Sequence, residues 1–74
     1  MSRMIENWAK FCYEKGTPPY PLERDGDNGM WFIRDESRPY EPPTYAIWID
    51  GRFRTAYDVG EAYAIWRGRN NEQG

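Results

Sequence analysis

The sequence predicts a small α+β domain of order α-β-β-β-α, with an N-terminal and a C-terminal helix packed on one face of a small antiparallel β-sheet built from a hairpin plus one further strand. Three observations carry that expectation. Apolar residues recur at helical spacing near the N-terminus, a strand-turn-strand signal surrounds Asp50-Gly51, and Asp58-Val59-Gly60-Glu61 has the form of a capping box.

Ile5, Trp8, Ala9 and Cys12 fall at i, i+3, i+4 and i+7 behind Ser2, a candidate N-cap, and predict a helix over about residues 3–15. Lys15 and Gly16 form a C-terminal stop, and Pro18-Pro19 bar continuation. Thr17 to Leu22 is then expected as an extended linker. Asp25-Gly26-Asp27-Asn28-Gly29 concentrates turn formers ahead of Met30 to Arg34, a β-prone run expected as a strand. Asp35 to Pro43 is polar and interrupted by Pro39, Pro42 and Pro43, which cannot donate to a ladder. A long loop in so small a domain is a natural working surface.

Thr44 to Ile49, then Asp50-Gly51, then Arg52 to Ala56 reads as a β-hairpin. Two registers are open. A two-residue turn pairs Trp48 with Phe53, whereas a three-residue loop with a bulge pairs Ile47 with Phe53. The second segregates the faces better, burying Tyr45, Ile47, Phe53 and Thr55 and leaving Trp48 outside beside Arg52 and Arg54. The final helix starts at Asp58 with Val59, Ala62, Tyr63 and Trp66 as its apolar stripe, and Gly68 can end it. Residues 1–69 make one domain, and residues 70–74 are expected as a disordered polar tail.

At 74 residues the chain is near the lower size limit for folding without staples, and its aliphatic inventory is thin: one leucine (Leu22) and one valine (Val59). Its four tryptophans, six tyrosines and three phenylalanines replace them, which points to an aromatic core. A net charge of −2 argues against a general nucleic-acid or membrane-surface binder. Cys12 is the only cysteine, so no intramolecular disulfide forms, and with no apolar span or leader-like N-terminus the expected location is cytoplasmic.

Histidine is absent, which removes the commonest general base and metal ligand, and one cysteine cannot build a thiolate metal site. Asp35 and Glu36 lie beside Arg34 and Arg38, which favour their ionised forms, so no catalytic group, metal or cofactor is expected. Pro42-Pro43-Thr44-Tyr45 matches the P-P-x-Y pattern of WW-domain ligands, against the plainer reading that Tyr45 begins a strand. Arg52, Arg54, Arg67 and Arg69 would form a surface for single-stranded nucleic acid if they converge, against the plainer reading that they keep an edge strand soluble.

Residues 23–41 carry Glu23, Asp25, Asp27, Asp35, Glu36 and Glu41 against three arginines, either a solvated loop or an acidic patch for a basic partner. The aromatic surplus beside arginine fits a binding surface, with Tyr40, Tyr20 and Trp48 as the leading exposed rings. The candidate partner-binding residues are therefore Asp35, Glu36, Tyr40 and Glu41 in the loop and Trp48, Arg52 and Arg54 on the hairpin.

In format, a short, histidine-free, aromatic-rich chain whose hairpin Tyr45 to Ala56 feeds a helix at Asp58 resembles the small host-takeover proteins of bacteriophages, of the type that bind RNA polymerase and regulate transcription. The resemblance implies a non-enzymatic protein whose partner is a large host assembly, bacterial RNA polymerase first. It also admits inhibition of a host defence complex such as a CRISPR effector or a nuclease.

Overall fold

A computed structural model describes residues 3–38 and 40–71, which form helix α1 (Arg3–Lys15), strands β1 (Pro19–Asp25), β2 (Asn28–Ile33), β3 (Thr44–Ile49) and β4 (Arg52–Ala56), and helix α2 (Val59–Asn71). Ser2 and residues 72–74 of the expected tail lie outside the described residues. The order is α-β-β-β-β-α, one strand more than the sequence predicts, and the strands form one antiparallel sheet in the order β1-β2-β3-β4.

Helix α1 closes as the sequence indicates. The Thr17 N–H donates to the Cys12 carbonyl at 2.9 Å and the Gly16 N–H to that of Tyr13 at 3.2 Å, the paired bonds of a Schellman cap. The chain then enters β1, where an extended linker was expected. Proline suppresses the strand signal there, yet the register shows why it is tolerated. Pro19 and Pro21 oppose Ile33 and Trp31, whose own backbone groups bond to β3, so the missing N–H groups fall on the outer edge of the sheet. Leu22 sits in a bulge between Pro21 and Glu23.

The hairpin takes the two-residue turn. Trp48 pairs with Phe53 and Ile49 with Arg52, and Asp50 and Gly51 both have positive φ (53° and 77°), as a type I′ turn requires. The bulged register expected from facial segregation is therefore incorrect, and so is the placement of both helices on one face. Met30, Ile47 and Ala56 bury against Ala62 and Trp66 of α2, whereas Trp31 and Trp48 bury against Ile5 and Trp8 of α1. Side chains adjacent in a strand point to opposite faces, so the helices cover opposite sides of the sheet. Tyr45 and Ile47 thus face α2, and Phe53 and Thr55 face the α1 side.

Asp58 caps α2, accepting from the Glu61 N–H at 3.0 Å while its carbonyl takes the Ala62 N–H at 2.9 Å. Val59, assigned to the apolar stripe, is 50% exposed, and Ile65 packs in its place. Helix α2 passes through Gly68 to Asn71, so Gly68 is no terminator and residues 70 and 71 of the expected tail are helical.

Gly29 is required for packing. A Cβ there would come within 2.3–3.1 Å of three carbons of the Trp31 ring, whereas a Cβ at Gly68 meets nothing within 4 Å. The two glycines should therefore respond with opposite signs. Gly29→Ala is expected to destabilise by roughly 1–3 kcal/mol through overpacking, and Gly68→Ala to stabilise by roughly 0.5–1 kcal/mol through helix propensity. Denaturant unfolding measures both, and a neutral Gly29→Ala would contradict the packing of Trp31.

Candidate functional site

The β2–β3 loop emerges at one end of the sheet and is tied down by its own polar groups. The Ser37 hydroxyl and N–H both donate to Asp35 Oδ1, at 2.6 and 3.0 Å. The Arg38 N–H donates to the Asp35 carbonyl at 2.9 Å, and the Glu41 N–H to the Arg38 carbonyl at 3.0 Å, which makes two consecutive turns. An Arg38–Glu41 ion pair at 3.2 Å spans the second turn, though both side chains are exposed enough for the pair itself to be worth little. Donation from Ser37 holds the Asp35 carboxyl below the usual carboxylate range. These short-range bonds present Tyr40, which is 84% exposed. Pro39, expected to brace that ring, lies outside the described residues.

Next to the loop, three rings run across three strands on the α2 side. Tyr20 opposes Phe32, and Phe32 opposes Tyr45, with ring centroids 6.1 and 5.9 Å apart. The Arg34 guanidinium sits over Phe32 at 5.7 Å. The Tyr20 hydroxyl donates to Glu36 Oε2 at 2.6 Å, which joins the ladder to the loop and pushes the tyrosine pKa up. Tyr57, 72% exposed, follows β4 at the same end of the sheet.

The structure divides the expected site in two. Asp35, Glu36, Tyr40 and Glu41 assemble in the loop as expected. Arg52 and Arg54 lie on β4, level with Ile49 and Ile47, about 17 and about 10 Å along the strand from the loop end. Trp48 is not an exposed anchor: it is 8% exposed, with Trp8 and Phe53 rings 6.2 and 5.1 Å away. The two-residue turn sends Trp48 to the face that α1 covers. Its indole N–H is buried without a partner among the described residues.

The acidic run divides as well. Glu23 accepts from the Tyr63 hydroxyl at 3.2 Å, and Asp25 accepts from Arg69 at 3.2 Å, so these two carboxylates fasten α2 to β1. Arg69 also stacks on Trp66 at 3.9 Å and Arg67 on Tyr63 at 5.9 Å, so both are engaged by rings of α2 itself. Tyr45 of the P-P-x-Y pattern is half-buried in β3 and is not available as an extended WW ligand.

Sequence reasoning missed Phe32 and Arg34, because a ladder of rings becomes visible only once β1 is known to be a strand and its register is fixed. No helix of the described residues is long and apolar enough to cross a membrane, and they contain no metal-binding cluster of His, Cys, Asp or Glu. No family model, curated protein or solved structure matches the chain.

If Ser37 organises the loop, Ser37→Ala should bring the Asp35 pKa back up toward the ordinary carboxylate range. The sign follows from linkage. A depressed carboxyl stabilises the turn above its unfolded pKa, and that contribution is lost as pH falls through the folded value. A side-chain NMR titration of Asp35 in both proteins measures the difference, and identical titration curves would show that the Ser37 hydroxyl does not hold the carboxylate.

Proposed function

We propose that the chain is a non-enzymatic regulator that docks on a large protein assembly through the loop end of its sheet, and that this assembly is bacterial RNA polymerase, whose transcription it inhibits or retunes in the host cytoplasm. The observation that carries the proposal is Tyr40. A large ring at 84% exposure has no reason in folding to be there, and two hydrogen-bonded turns hold its neighbours in place. An anchor presented on an already ordered loop loses little entropy when it docks. The half-exposed Tyr20, bonded to Glu36 of the same loop, adjoins the Phe32 ring and Arg34, and tyrosine and arginine are the residue types that dominate binding hot spots.

The acidic side chains Asp35, Glu36 and Glu41 of the same loop favour a basic surface on the partner and steer its approach. The choice of polymerase rests on the resemblance to small phage regulators. The absence of histidine and the ionised state favoured at Asp35 support a binding role over acid–base chemistry.

Tyr40→Ala is expected to weaken binding to purified bacterial RNA polymerase by about 1–2 kcal/mol, roughly five- to thirtyfold, while leaving the melting temperature unchanged. Surface plasmon resonance and thermal unfolding on the same preparations provide the test. Lack of binding by the unmutated chain would refute the choice of partner, and unaltered affinity of the variant would refute the choice of surface.

A further inference from the structure

The two edges of the sheet differ. At the β1 edge the outward positions are Pro19 and Pro21, which have no N–H, followed by the bulge at Leu22. That edge cannot accept another strand in regular register. At the β4 edge the closing pair of the two-residue turn, Ile49 with Arg52, exchanges hydrogen bonds, and alternation places Arg54 and Ala56 in the same inward role. The N–H and C=O groups of Phe53 and Thr55 therefore point outward. No strand of the described residues pairs with them, and Arg52 to Thr55 are all exposed.

The side chains along this edge alternate in chemistry as well as direction. Arg52 and Arg54 share the α2 side, and neither has a hydrogen-bond or ion-pair partner among the described residues. Phe53, 44% exposed, faces the other side against Trp48 and Trp8. An open cleft of about 480 Å³ wraps the turn end of the edge, lined by Ile49, Asp50, Arg52, Phe53 and Arg54. Asp50 supplies its one carboxylate against two guanidiniums.

We infer that β4 is a docking edge for an extended acidic segment of a partner protein, which adds as a fifth antiparallel strand. Its backbone bonds to Phe53 and Thr55, its alternate acidic side chains pair with Arg52 and Arg54, and the apolar residues between them extend the surface around Phe53. Charge disfavours a second copy of this chain as the occupant in the registers that overlap both arginines. Symmetric pairing centred on Arg54 sets Arg54 against its twin, and a register shifted toward the turn sets Arg52 against Arg54 twice. This edge is separate from the loop end, so the inference stands whether or not Tyr40 contacts a partner.

The test uses an eight-residue fluorescent peptide alternating glutamate and valine, read by anisotropy at low salt and by amide exchange. The peptide is expected to bind, to slow exchange at the Phe53 and Thr55 amides, and to bind at least tenfold more weakly when its amides are N-methylated at alternate positions. Thr55→Pro removes one outward N–H without touching the β3–β4 ladder, and it should weaken binding at least tenfold with β3 amide protection retained. Arg52→Glu with Arg54→Glu should abolish binding. Equal affinity for a lysine–valine peptide, indifference to N-methylation, or preferential binding of an oligothymidine strand would each overturn the inference, the last in favour of a nucleic-acid surface.

Discussion

The structure depends on covering both faces of a four-stranded sheet with very few aliphatic side chains. Strands β2 and β3 are apolar at consecutive positions, so neither face can be left to water. On the α2 side Met30 and Ile47 are fully buried beneath Ala62 and Trp66. On the α1 side a single short helix reaches the sheet mainly through Ile5 and Trp8, and the gap is filled by rings: Trp8 meets Trp31 at 5.3 Å, Trp48 at 6.2 Å and Phe53 at 5.8 Å. Burial of each large side chain contributes on the order of 1.5–3 kcal/mol. In a domain whose net stability is a few kcal/mol, these rings are structural before they are anything else.

That constraint fixes what remains for function. With both faces covered, partners can reach only the ends and edges of the sheet. The β1 edge is closed by its prolines and fastened to α2 through Glu23 and Asp25. The turn end carries the tight Asp50-Gly51 reversal, tied to Asn28 by the Asp50 N–H at 2.9 Å. The loop end has the only long connection among the described residues, a self-bonded turn pair and the most exposed ring in that set. Three of the exposed rings, Tyr20, Tyr40 and Tyr57, and a loop too polar to pack thus share this end of the sheet.

Much of this was legible in the sequence, and the failures have physical causes. Helix α1 was legible because its apolar period and stop signals agree, and the start of α2 because Asp58 and Glu61 are spaced as a cap. The loop between β2 and β3 was legible from proline and charge. Strand β1 was hidden because proline argues against strands in general, and only pairing reveals that Pro19 and Pro21 face the free edge. Trp48 was misplaced because the facial pattern was scored as if one side of the sheet were wet. The consecutive apolar residues Met30 to Ile33 and Tyr45 to Ile49 in fact signal a sheet buried on both sides. Gly68 failed as a stop because helix packing through Trp66 and the Arg69–Asp25 contact outweigh a propensity cost of about 1 kcal/mol.

In the proposed complex the loop end, and not the outer surface of α1, meets the partner. The α1 surface is the fair rival, since Phe11 and Tyr13 are 55% and 62% exposed there. Site-specific photocrosslinking separates the two, with benzoylphenylalanine placed at position 40 or, separately, at position 13 and each protein irradiated with bacterial RNA polymerase. The expected result is a covalent adduct with one polymerase subunit from position 40 and none from position 13. An adduct from position 13 with none from position 40 would contradict it.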